Sequence, residues 1–216
     1  MSRLVVSSNE VDALAKKAAK GAGMPWGLAA EAGKATRWLA DRGLPGPAVL
    51  ADLLDWRDGR STASVSPPDV SLDWAGHDAV FDAVVVGAVC ADLAPRLAAA
   101  PAVLGTVRGP LLLGFAVSVA SRRTGVDLVV RWGGVAIGVD GETVRVRGAT
   151  EGLDAAEAMV SVGVGTLPDA ALPAPGYGCD VDVAVWDRIE HHAARTYAPE
   201  TERSRLTGAG AGLIDD

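Results

Sequence analysis

Apolar and polar positions alternate along this chain with two distinct periods. Val11, Leu14, Ala15, Ala18 and Ala19 recur at helical spacing, with Asp12, Lys16, Lys17 and Lys20 on the other face. Ser7 with Glu10 fits a capping box, Asn9 with Asp12 offers an alternative cap, and Gly21 can end the helix. A second helix is predicted from Pro25 to Arg42, with Leu28, Ala32, Ala35 and Leu39 inward and Trp38 beside them. Its Ala and Gly content predicts close packing against a neighbouring helix. A third, Pro47 to Trp56, carries Leu50, Leu53 and Leu54. Residues 59–76 are rich in Gly, Ser, Thr, Pro and Asp and read as a loop. Helical spacing from Val80 to Leu97 favours a buried helix, although its β-branched residues also suit a strand.

Short apolar runs with turn residues between them then mark strands at Leu111–Ala120, Val126–Arg131, Val135–Val139 and Thr143–Arg147, with Ala158–Val164 as a further strand. Asp140-Gly141 is a hairpin signal, since Gly adopts positive φ at little cost. A last helix, about Asp180 to Thr196, would bury Val181, Val185, Ile189 and Ala193. The order predicts an α+β fold: N-terminal helices, a mainly antiparallel sheet, then a C-terminal helix.

Composition narrows the class. The 216 residues are 49% hydrophobic and 22% charged, which excludes global disorder. The length suits a single domain, 1–216, within which 1–58 could form a helical subdomain, 77–198 an α+β core and 199–216 a Gly/Arg-rich end. The formal net charge of −7 argues against a general nucleic-acid binder, which needs a basic field. Mean hydropathy is high at +0.23, yet the apolar runs fall short of the roughly 20 residues that span a bilayer. The expectation is a cytoplasmic protein without membrane contact, whose two cysteines, Cys90 and Cys179, stay reduced.

Candidate chemistry is sparse. Gly208–Gly212 (GAGAG) is neither a phosphate-binding P-loop nor a dinucleotide fingerprint, because no Lys-Ser/Thr follows and no strand precedes it. Its setting matters more. Arg195, Arg203 and Arg205 lie upstream, with Tyr197 and Ser204 among them. Guanidinium groups fork onto carboxylates or phosphates, and the backbone amides of Gly208 and Gly210 can approach an anion. The same composition also suits a polar terminal tail. Glu31 falls beside the apolar face of the second helix, near Trp38 and Arg42, and is a candidate acid or base with Tyr197 as hydrogen-bond donor; a structural ion pair is the alternative. His191 and His192 are adjacent and diverge by about 100° on a helix, so they do not suit one metal ion, and no metal-ligand spacing occurs. No cofactor is expected. Cys90 reads as a core thiol, and Asp180 disfavours a Cys179 thiolate. The six tryptophans read as core and interface anchors.

Two stretches, SSNEVDALAKKAAKGAGMPWGLAAEAGKATRWL (Ser7–Leu39) and RTYAPETERSRLTGAGAGLIDD (Arg195–Asp216), resemble the opening and close of a bacterial family known as domain of unknown function 3726. The resemblance implies a stand-alone cytoplasmic bacterial protein and an ordered, functional C-terminal segment, but no activity. Two functional expectations follow. One is a metabolic enzyme or binding protein for a small carboxylate or phosphate, sited near the C-terminal Arg/Gly segment. The other is a non-catalytic homo-oligomeric scaffold or accessory partner of a metabolic enzyme.

Overall fold

The computed structural model describes residues 2–140, 143–148, 150–166 and 170–197. A short strand, β1 (Arg3–Ser7), leads into α1 (Ser8–Gly21). The capping box forms as expected: Ser7 accepts from the Glu10 amide while Glu10 accepts from Ser7 N. Next come α2 (Trp26–Ala40) and α3 (Gly46–Arg57). Pro25 takes the N-cap position of α2, one residue earlier than the first helical turn. The Gly-rich face packs closely: a Cβ on Gly33 would lie 2.5 Å from Asp12 Oδ1 of α1.

The segment after the loop differs from a single buried helix. Val80–Asp82 forms β2, and α4 (Ala83–Asp92) and α5 (Ala94–Ala99) follow. Asp82 switches the chain from strand to helix, because its carboxylate accepts from Val84 N and Val85 N. The chain returns as β3 (Ala102–Arg108), parallel to β2. This strand escapes the sequence pattern because the register skips Leu104 between Val103 and Gly105, with Gly105 at φ +69°, and the bulge breaks the alternation.

A second correction concerns Leu111–Ala120, which is helical rather than a strand. A 3₁₀ turn over Pro110–Leu112 enters α6 (Leu113–Thr124). Gly109 at φ +70° with Pro110 after it sets the start. Nearly every side of α6 is buried, by α2, α4, α5 and the sheet, so no polar face marks its period. The remaining elements are β4 (Leu128–Trp132), β5 (Val135–Asp140), β6 (Thr143–Arg147), α7 (Thr150–Leu153), β7 (Glu157–Val164), β8 (Ala170–Ala171), β9 (Gly178–Asp182) and α8 (Val183–Ala194). Asp140 sits opposite Thr143 where β5 and β6 pair; the turn itself lies outside the described residues. The final helix starts later than Asp180. Residues 178–182 are a strand, Asp182 caps α8, and Val181 is buried from β9.

Among the described residues the main sheet runs β2-β3-β7-β4-β5-β6-β8, antiparallel except for β2 with β3. Helices cover the face that carries Leu104, Val130, Ile137, Val160 and Val162. On the other face Val103 and Met159 are exposed. A separate ribbon pairs β1 antiparallel with β9, and α8 then packs on α1 and α3. The architecture is thus α+β, with an N-terminal helical layer, a mostly antiparallel sheet and a closing helix.

Candidate functional site

Arg195 and Tyr197 sit at the end of α8, where the chain faces α3 and α1. Asp52, Asp55 and Asp58 are spaced three apart on and just past α3, and Arg188, His192 and Arg195 follow helical spacing on α8. The two rows meet. Arg188 Nη2 lies 2.6 Å from both Asp52 Oδ1 and Asp55 Oδ2. His192 Nε2 lies 2.8 Å from Asp55 Oδ1, and Arg195 grips Asp58 with two bonds of 2.6 and 3.0 Å. Burial alone would push the Asp55 carboxyl up; hydrogen bonds from His192 and Arg188 outweigh it and hold it below its ordinary value. The hydrogen bond from Arg195 likewise lowers Asp58. Arg195 therefore locks two helices together and is already engaged by a carboxylate. Tyr197 is exposed and meets Lys17, whose Nζ stands 5.5 Å from the ring centroid.

Glu31 lies elsewhere. It pairs with Lys34 at 2.8 Å on α2 and stands at the rim of a small apolar cleft of about 30 Å³ between α2, α4 and α6. Among the described residues Glu31 shares no partner with Arg195 or Tyr197. Arg203, Ser204, Arg205, Gly208 and Gly210 lie outside the described residues.

What the structure does assemble is a basic, aromatic-walled cleft one turn further along α2. Lys34, Arg37, Trp38 and Arg42 share one stripe of α2 and its C-terminal turn, and with Phe115 of α6 they line an open space of about 670 Å³. Asp12, Asp41 and Pro175 complete its wall. Trp38 and Phe115 meet edge to face at 6.3 Å. The Arg42 guanidinium lies 4.3 Å from the centre of the Trp38 ring and donates to the Trp38 carbonyl at 2.9 Å.

Two features of this cleft are costly in isolation. Trp38 is 7% exposed, and its buried Nε1–H has no acceptor among the described residues. Arg42 pairs with no carboxylate among the described residues, whereas Lys34 pairs with Glu31 and Arg37 with Asp41. Burial lowers Arg42 below its ordinary value, Asp41 opposes this, and the nearby Arg122 cation adds to the lowering. Arg122 itself donates to Ser118 Oγ, a neutral partner. The arrangement offers donors and positive charge to an acceptor-rich group. The helical spacing of Lys34, Arg37, Trp38 and Arg42 is the signal of this cleft in the sequence, which the sequence reading above does not single out.

A larger cleft of about 1460 Å³ adjoins across the end of α2 and shares Asp41 and Arg42. Cys179 lines it, half-buried. Burial raises the Cys179 thiol, and the charges of Asp41 and Asp180 raise it further, so it is a poor nucleophile. Among the described residues no group of three or more His, Cys, Asp or Glu side chains is placed to hold a metal ion, and no helix is long and apolar enough to cross a membrane.

No curated protein and no solved structure matches the chain. A family model does match, over residues 6–77, which takes in the Ser7–Leu39 stretch and all of α1, α2 and α3 but not Arg195–Asp216. The similarity is to the family described as protein of unknown function (DUF3726), and it covers this N-terminal third of the chain.

Proposed function

We propose that this protein is a cytoplasmic small-molecule-binding protein that takes a carboxylate or phosphate at the Trp38–Arg42 cleft. The observation that carries the reading is the pairing of an orphaned, buried Trp38 Nε1–H with an Arg42 that has no carboxylate partner among the described residues. An anion seated there accepts from Arg42 and offsets the repulsion between Arg42 and Arg122. The free thiols of Cys90 and Cys179 accord with a reducing compartment.

The test is calorimetric titration with acetate, benzoate and inorganic phosphate on the wild type, R42A and W38F. A charge-assisted hydrogen bond contributes about 1.5–3 kcal/mol, so R42A should weaken binding roughly 10- to 150-fold. W38F removes the indole donor and shrinks the ring on which Arg42 stacks, keeps the Arg42 charge, and should weaken binding less. Absence of binding by every anion, or full binding in R42A, overturns the reading. The Arg203, Ser204, Arg205, Gly208 and Gly210 donors are a second place for the same anion, and R205A in the same titration reads their share.

A second reading rests on the uncovered sheet face, where Val103 is 37% and Met159 52% exposed on neighbouring strands. Two copies joined through that face would form a homo-oligomeric scaffold. Light scattering on the eluting protein tests it: a concentration-independent monomer rules the scaffold out.

A further inference from the structure

We propose that the open edge of β9 is a docking site for an extended, basic peptide segment of a partner protein, which joins the β1–β9 ribbon as a third strand. The site is the larger cleft at the end of α2, and it does not depend on the reading of the Trp38–Arg42 cleft as an anion site.

The register decides which backbone groups are committed. Strands β1 and β9 pair antiparallel, with Arg3 opposite Asp182 and Ser7 opposite Gly178. Ser8 N donates to the Tyr177 carbonyl at 3.0 Å and Val183 N to the Ser2 carbonyl at 3.1 Å. Hydrogen-bonded and non-hydrogen-bonded positions alternate along an antiparallel pair. Tyr177, Cys179, Val181 and Val183 therefore bond toward β1, and Gly178, Asp180 and Asp182 turn their N–H and C=O groups the other way. Among the described residues β9 has no second strand neighbour, and these three N–H groups have no acceptor. Of the outward carbonyls, that of Asp180 accepts from Arg3.

That edge faces open space. All five residues of β9 line the larger cleft, whereas β1 contributes only Arg3. The opposite wall is the end of α2 and the start of α3. An edge strand without a neighbour is a template for another chain, and edges are commonly blunted by proline, lysine, a bulge or a covering element. Residues 178–182 (GCDVD) hold neither proline nor lysine, and they pair with β1 without a bulge.

The two faces of β9 set the chemistry of the strand that joins it. Asp180 and Asp182 are two residues apart and share one face. Asp182 accepts from Ala184 N, and Arg3 reaches the Asp180 carbonyl rather than its carboxylate, so neither carboxylate has a cationic partner among the described residues. Cys179 and Val181 take the other face, where Val181 packs with Val6, Val11 and Ala40. Around the whole cleft Asp41, Asp154, Asp180 and Asp182 outnumber Arg3 and Arg42, and Arg42 is held on the Trp38 ring. An added strand thus meets carboxylates with one set of alternate side chains and apolar surface with the other. Residues at about 3.4 Å each make this edge about 17 Å long, which suits a segment of about five residues. A second copy joined edge to edge would bring Asp180 and Asp182 against their own equivalents, and like charges on facing strands destabilise the pair.

The experiment titrates the full chain with the acetylated, amidated peptide Lys-Val-Lys-Val-Lys by calorimetry and follows backbone amide exchange by NMR. Controls are the same peptide N-methylated along its backbone and the peptide Glu-Val-Glu-Val-Glu. The basic peptide should bind, bind more weakly as salt rises, and slow exchange at Gly178, Asp180 and Asp182 but not at Val5, on the outer edge of β1. Each backbone hydrogen bond lost weakens binding roughly 2- to 12-fold, so the methylated peptide should bind at least about tenfold more weakly. Asp180→Pro deletes the central outward N–H and should weaken binding at least about fivefold, whereas Asp180→Asn keeps that N–H and should cost only about two- to fivefold. The methylated peptide carries the same test on the unaltered protein if Asp180→Pro does not fold. R42A should bind the basic peptide no more weakly than the wild type, so this site and the anion site fail separately.

No binding of the basic peptide, equal binding of the methylated one, or protection that bypasses the three β9 amides overturns the docking site. Equally tight binding of the acidic peptide overturns the basic partner. A wild-type dimer in light scattering that Asp180→Pro converts to monomer gives the edge to a second copy and overturns the peptide.

Discussion

Arg57 and Asp82 form an ion pair with both side chains at 0% exposure, which makes their removal the sharpest test of how this fold is held. Arg57 comes from the end of α3 and Asp82 from the end of β2, so the pair ties the helical layer to the sheet. Arg57 also donates to Thr62 Oγ1 at 2.7 Å, and Asp82 caps α4 through Val84 N at 2.7 Å. Consider Arg57→Met, which keeps the stem and deletes the charge. Asp82 is then left as an uncompensated carboxylate in the core, and the cost expected for breaking a fully buried pair is about 3–5 kcal/mol. Asp82→Asn retains a capping oxygen but strands the guanidinium, so a cost of similar size is expected. The double variant removes both charges and should recover most of the loss, leaving a deficit of about 1–2 kcal/mol from imperfect packing. At this chain length 1 kcal/mol moves Tm by about 2–4 °C, so each single variant should melt roughly 6–20 °C below the wild type. Urea unfolding at neutral pH followed by circular dichroism gives the full cycle. Single-variant costs below about 1 kcal/mol, or a double variant that costs the sum of the singles, would refute the reasoning.

Three further outcomes follow from the packing and the charges. Gly21→Ala would place a Cβ 1.8 Å from the His192 carbonyl oxygen and should cost about 1–3 kcal/mol, whereas Gly27→Ala, with open space around it in α2, should stabilise by about 0.5–1 kcal/mol; urea midpoints compare them, and equal effects sink the claim. The folded-state value of Asp55 lies below its ordinary 3.8, so its stabilising contribution is complete above that pH and is lost as pH falls through the folded value; Asp55→Asn should therefore lose less stability than the wild type between about pH 5 and about pH 2. Burial pushes the Cys90 thiol up to about 12, so an aromatic disulfide reagent at about pH 8 should leave Cys90 unmodified in the native protein and react slowly with Cys179, and two fast native thiols would contradict this.

The elements legible in the sequence were those with a two-faced pattern or a local stop signal. Helices α1 to α3 carry caps, stripes and terminating glycines, and β5, β6 and β7 alternate cleanly. What escaped has physical causes. Helix α6 is buried on nearly all sides and so reads as a bare apolar run. Strand β3 is interrupted by the bulge at Leu104, just before Gly105. Strands β1 and β9 have largely exposed residues and are held by each other and by Val6 and Val181 packing on Val11 and Ala40, a pairing of positions such as Arg3 with Asp182 that no local window contains. The same divide holds for the site. The tail arginines cluster in sequence, yet Arg195 is consumed by Asp58. The stripe Lys34, Trp38, Arg42 was present at helical spacing, but the neighbours that make it distinctive, Phe115 and Arg122, arrive from a helix whose residues read as a strand.

The ribbon of β1 with β9 has a consequence for how the molecule is made. Residues 3–7 wait for partners at 178–182, and α1 and α3 wait for α8. A chain synthesised from its N-terminus therefore presents its helical layer first and closes it last. Arg57 has no counter-charge until Asp82 emerges, and the Ala-rich flank of α1 stays uncovered until residues beyond 183 arrive. Contacts of such long sequence separation slow folding and expose apolar surface on the way. The segment that matches the family model, 6–77, thus completes its packing only with residues translated after it.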